Sequence, residues 1–120
     1  MNELITSIFA NFTVGGETIP VKYMYYMGHG EPYVTWMHMD SDNSLTADDT
    51  LLGYVDYYDF DVYSKSNFME IVEQMKKVLV GNGFVWQPSR SSPDFYEVDT
   101  GYYHKTLNFA YMRELREESE

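Results

Sequence analysis

A chain of 120 residues has the length for one folded domain with a single core, and too little for two. It contains no cysteine, which excludes a disulfide framework, a thiolate metal site and a cysteine nucleophile. The formal charge of −11 argues against unaided binding to DNA or RNA, because such a surface repels phosphate backbones.

An apolar content of 44% is that of a folded globule rather than a disordered chain. Aromatic residues make up 18%, twelve of them tyrosine, a bias towards sheets and contact surfaces. No apolar run approaches the roughly 18 residues of a membrane span. The N-terminus has no basic region and carries Glu3, so no secretory signal is expected and synthesis in the cytoplasm is the default.

In chain order, Leu4, Ile5, Ile8, Phe9 and Phe12 recur at helical spacing and predict a short helix over residues 2–12, with Asn2 as its cap. Gly15-Gly16 breaks that pattern, and Pro20 keeps Ile19 out of helix. A first strand is expected from Val21 to Met27, then a turn at Gly28-His29-Gly30-Glu31-Pro32, then a second strand from Tyr33 to Met39. Asp40 to Thr50 reads as a polar loop. The central strand follows, with Tyr58, Phe60 and Val62 on one side and Tyr57, Asp59 and Asp61 on the other, the two-residue period of a half-buried strand. Short connections predict that these three strands form an antiparallel meander.

After Lys65 the period changes. Phe68, Ile71, Val72, Met75, Val78 and Leu79 make one apolar stripe on a helix of about residues 67–81. Asn67 and Glu70 have the spacing of a capping box, and Gly81 or Gly83 supplies the left-handed residue that ends it. Phe84 to Trp86 begins a short strand, residues 88–93 are loop, and Tyr102 to Tyr111 forms the last strand. Tyr103, Leu107, Phe109 and Tyr111 then face one way and His104, Thr106 and Asn108 the other. Residues 112–120 read as an acidic tail. The expected fold class is α+β: a mainly antiparallel four- to five-stranded sheet with an N-terminal helix and one amphipathic helix packed on it, in the order α-β-β-β-α-β(-β).

Sites for chemistry are scarce. His29, His38 and His104 lack the spacing of zinc ligands. His38 and Asp40 share a strand face with no nucleophile beside them. Asp56, Asp59 and Asp61 do not share one face, which makes a poor paired-carboxylate site. Asp40 and Asp42 fit the first positions of a calcium loop, but Leu45 and Leu51 stand where glycine and glutamate are required. No enzyme, cofactor or metal is expected. Between Lys22 and Lys65 there is no lysine or arginine, while Asp40, Asp42, Asp48 and Asp49 lie there with four further acids. The acids serve either as a solvated face or as a contact surface for a basic partner or a neighbouring copy.

Tyr33-Val34-Thr35, Ala47-Asp48-Asp49, Asp61 to Lys65 running into the Asn67 helix, and Asp99 to Leu107 together resemble a family of small phage and prophage proteins. These are the tail-completion, tail-terminator or head-tail joining proteins of long-tailed bacteriophages. The resemblance spans roughly residues 19–111 and consists of strand and helix edges without invariant chemistry. It implies a structural virion protein of the neck that assembles as a homo-oligomer, typically a hexameric ring, capping the tail tube and meeting the major tail protein and head-completion proteins. It implies no cofactor, no membrane and no sequence-specific nucleic acid, with assembly in the host cytoplasm. On that reading some of Asp40, Asp42, Asp48 and Asp49 border a DNA-conducting lumen or a subunit contact. A different class, a small acidic phage-encoded inhibitor of a basic host protein, would share the size and charge.

Overall fold

A computed structural model describes residues 2–26, 32–47, 50–66 and 68–114. The elements are α1 (Asn2–Ile8), β1 (Thr13–Val14), β2 (Glu17–Thr18), β3 (Val21–Tyr23), β4 (Tyr33–Ala47), β5 (Thr50–Ser64), α2 (Phe68–Gly81), β6 (Val85–Trp86), β7 (Phe95–Glu97) and β8 (Tyr102–Glu114). The class is α+β, as the periodicities require. The main sheet has six strands in place of four or five, ordered β3-β4-β5-β8-β6 with β7 also on β8, and β1-β2 form a separate ribbon. No helix of the described residues is long and apolar enough to cross a membrane.

The apolar stripe of α2 lies where its spacing puts it. Phe68, Ile71, Val72, Met75 and Leu79 are buried and Val78 packs against them half-buried. Asn67, the expected cap, lies outside the described residues. At the other end Gly83 has φ +93°, the N–H of Phe84 donates to the Leu79 carbonyl at 3.0 Å, and that of Gly83 donates to Val80 at 3.2 Å. This pair of bonds satisfies two of the carbonyls a helix end leaves without partners.

The first helix stops at Ile8 rather than at residue 12. Two tight turns follow, Ala10 N–H to Ser7 and Phe12 N–H to Phe9. Phe12 then stands edge-on to Phe9 at 5.2 Å, and both rings enter the core. The β1-β2 ribbon was not expected. Gly15 and Gly16 (φ +60° and +83°) form its two-residue turn, a geometry that needs positive φ at both positions.

Two corrections concern the sheet. β3 runs parallel to β4, with Val21 opposite Val34 and Tyr23 opposite Trp36, so the expected antiparallel meander fails at its first strand. β3 is only three residues, about 10 Å, so the chain needs little length to return to its start. It turns sharply at Met24 (φ 71°), where the Tyr25 N–H donates back to Tyr23. The second correction concerns residues 40–50. β4 continues to Ala47 and β5 begins at Thr50, so most of the expected polar loop is strand. Aspartate and asparagine disfavour strands, yet pairing with β5 carries them, with register shifts between His38 and Asp40, Asp42 and Leu45, and Leu45 and Thr46. β8 likewise runs to Glu114, three residues beyond its expected end. The long strands draw the molecule out to 52 × 27 × 23 Å.

All of the large core lies on one face of the sheet, beneath α1, α2 and the ribbon. At its centre Phe60 meets Phe9, Trp36, Phe84 and Phe109 at ring-centroid distances of 6.0 to 6.4 Å. At one edge, β6 and β7 are two halves of a strand broken by Pro88, a 3-10 turn (Pro88–Arg90) and Pro93. Serine hydroxyls replace the missing ladder: the Asn108 N–H donates to Ser91 Oγ and the Thr106 N–H to Ser92 Oγ, both at 2.9 Å.

Candidate functional site

The opposite face of the sheet carries most of the polar side chains that sequence reading singled out. Register alignment places them in cross-strand rows. Tyr33, Tyr63 and His104 lie side by side, as do Thr35, Asp61 and Thr106, and then Met37, Asp59 and Asn108.

The first row is aromatic and crosses the whole sheet. Tyr26 stacks on Tyr33 at 5.0 Å, Tyr33 on Tyr63 at 4.7 Å, and Tyr63 on His104 at 4.2 Å, with Phe95 completing the row 6.4 Å beyond His104. Each inner ring is covered on both faces by its neighbours. The row therefore leaves no open ring face between Tyr33 and His104 on which a sugar or a base could stack.

Beside it Asp61 accepts from Thr106 Oγ1 at 2.5 Å and contacts His104 Nε2 at 3.2 Å. The threonine hydroxyl gives its proton to the carboxylate and not to the imidazole, so no activated nucleophile results. In the next row Asn108 Nδ2 donates to Asp59 at 2.7 Å. Arg90, reaching in from the 3-10 turn, donates from Nε to Asn108 Oδ1 at 3.2 Å and from Nη2 to Asp40 Oδ1 at 2.5 Å, and covers the Tyr57 ring at 3.8 Å. Burial raises the Asp59 pKa above its ordinary value; the Asn108 bond offsets part of that, and the charge of Asp61 adds to it.

A second cluster lies further along β4 and β5. Asp56 is 3% exposed. Arg113 grips it with Nε to Oδ2 at 2.9 Å and Nη2 to Oδ1 at 3.3 Å, and Ser41 Oγ donates to Oδ1 at 2.6 Å. His38 Nε2 stands 3.0 Å from Ser41 Oγ. Burial alone would raise the Asp56 pKa, but the Arg113 and Ser41 hydrogen bonds and the guanidinium charge outweigh it and hold the carboxyl below its usual range. Serine, histidine and aspartate thus meet in the wrong order for catalysis. The hydroxyl hydrogen is committed to an ionised carboxylate, and the imidazole is left as the donor.

Of the four acids expected at a contact, Asp40 is held by Arg90, while Asp42 stands exposed with no ion pair among the described residues. Asp48, Asp49 and His29 lie outside the described residues. His38 does not share a face with Asp40, because the register shift after His38 separates them and turns His38 towards Ser41 and Asp56. Asp59 and Asp61 point to the outer face and Asp56 to the other, so the three acids split as their spacing implies. Arg90, Ser91 and Ser92 gave no sequence signal, since they join the network across 14 to 50 residues of chain. Among the described residues no group of three His, Asp or Glu side chains is placed to hold a metal ion.

No protein-family model matches the chain, and no curated protein matches it.

The tyrosines give a pH prediction. Burial, with the charge of Asp56 adding to it, pushes the Tyr58 hydroxyl up to about 12; burial, then the charges of Asp61, Tyr33 and Glu97, do the same for Tyr63. A raised folded-state pKa stabilises the fold fully below the ordinary value of 10.0 and is lost as pH rises through about 12. Denaturant midpoints are expected to hold steady up to pH 10 and to fall between 10 and 12, in step with tyrosinate absorbance. A flat midpoint across that window would contradict the burial of these hydroxyls.

Proposed function

We propose that this chain is a ring-forming structural subunit of a long-tailed phage or prophage, a tail-completion or tail-terminator protein that caps the tail tube and joins it to the head. The motif resemblance at Tyr33 to Thr35, Asp61 to Lys65 and Asp99 to Leu107 supports the family. One structural observation favours a subunit that assembles: the sheet ends in two edges, and exposed aromatic and aliphatic side chains crowd both. Tyr23, Met24 and Tyr25 stand at one, and Val85, Phe95, Tyr96 and Val98 at the other. A monomer rarely leaves large apolar groups together at an uncovered edge, where they invite pairing with another chain. Two unlike edges on one subunit suit head-to-tail contacts, which close into rings. The polar clusters satisfy one another, which favours a structural role over a catalytic one.

On this reading the partners are further copies of the chain, the major tail protein and head-completion proteins, and the place of action is the virion neck. Asp42, with Asp48 and Asp49 in sequence, is proposed to border the lumen or a subunit contact, where negative charge lets DNA slide without sticking. Asp40 is set apart from that role by Arg90.

Light scattering and electron microscopy of the purified protein test the proposal, together with loss of the gene in its phage. A ring, and heads and tails left unjoined in the lysate, are expected. A protein monomeric at every concentration, with undiminished phage titre, overturns it. Capture of a basic host factor by that monomer would instead support the inhibitor class.

A further inference from the structure

We infer that subunits join through the β3 edge of one copy and the β7 edge of the next, so that the aromatic row runs on through the joint. This rests on the ring reading above and says which surfaces make the ring.

The two edges complement one another in charge. At the β3 edge Lys22 is exposed and has no carboxylate partner among the described residues. At the β7 edge Asp94 is already neutralised by Lys105 at 3.0 Å, whereas Glu97 meets only the His104 ring at 3.9 Å and the Thr100 hydroxyl, and Asp99 has no ion pair, so among the described residues neither is balanced by a lysine or arginine. Both edges also offer apolar surface. Tyr23 and Tyr25 are 54% and 67% exposed on one side, and Phe95 and Val98 are 50% and 84% exposed on the other. A contact of β3 with β3 would set Lys22 against Lys22, and one of β7 with β7 would set acid against acid. Like charges therefore work against both symmetric pairings, and the unlike pairing remains.

The aromatic row gives a second, independent reason. It begins at Tyr26, next to β3, and ends at Phe95 on β7. Tyr33, Tyr63 and His104 each have a ring on both sides, whereas among the described residues the two end rings each have a neighbour in the row on one side only. Setting β7 of one subunit beside β3 of the next brings Phe95 towards the neighbour's Tyr26 and supplies the missing partner to both. Offset aromatic pairs of this kind add to the burial of their area. Because the two surfaces differ, repetition of the contact passes from copy to copy and ends only on closure.

Zero-length carbodiimide coupling of the intact wild-type protein, read by peptide mass spectrometry, tests the joint. Lys22 is expected to link to Glu97 or Asp99 of another copy, in species extending beyond dimers. Lys22→Glu is expected to weaken assembly roughly tenfold or more, since it sets like charges face to face, while the circular dichroism of the subunit stays unchanged. Multimers that form without these links and tolerate Lys22→Glu would overturn the joint and leave the ring standing. A chain that stays monomeric at every concentration would overturn both.

Discussion

Replacing Ile71 with aspartate is expected to unfold the protein. Ile71 is fully buried on α2, with Phe68, Val72, Met75 and Leu79 on the same stripe. The substitution removes about 1.5–3 kcal/mol of apolar burial and adds an unpaired carboxylate, whose desolvation costs several kcal/mol more. Small domains hold only about 5–15 kcal/mol in total, so the sum takes most or all of it. Loss of the cooperative thermal transition by circular dichroism is the expected reading. A melt within a few degrees of the parent at neutral pH would mean that α2 does not cover the sheet.

Phe60→Ala is expected to cost about 3–5 kcal/mol, the usual range for emptying an aromatic site in a core. Phe60 is fully buried and touches rings from the residue after α1, from β4, from the residue before β6, and from β8, so no single neighbour can move in to fill the space. Urea unfolding should show a large drop in midpoint at nearly constant slope. Phe95→Ala is the matched control. Half its surface is already in water, and a change within about 0.5 kcal/mol is expected for the isolated subunit. If the two substitutions cost the same, the core is not centred on Phe60.

Much of the fold is legible in the residues because burial writes itself at fixed periods. The alternation of Tyr58, Phe60 and Val62 with Tyr57, Asp59 and Asp61 fixes the faces of β5, and the three-and-four spacing from Phe68 to Leu79 fixes the buried side of α2. Polarity misleads at residues 40–47, where acidic and amide side chains tell of exposure to water and say nothing of whether the backbone is paired. The fragments β1, β2 and β7 are two or three residues long, too short for any period to show.

The sequence by itself determined the class, the central strand and helix, and which acids part company across the sheet. Those follow from the transfer of apolar groups out of water, and each residue carries that preference wherever the chain goes. Only the tertiary structure decided the parallel pairing of β3, the bridge from Arg90 to Asp40 and the aromatic row from Tyr26 to Phe95. Each of these joins groups far apart in sequence, or turns on one backbone angle at Met24. Their energies depend on register, which no local pattern of side chains encodes.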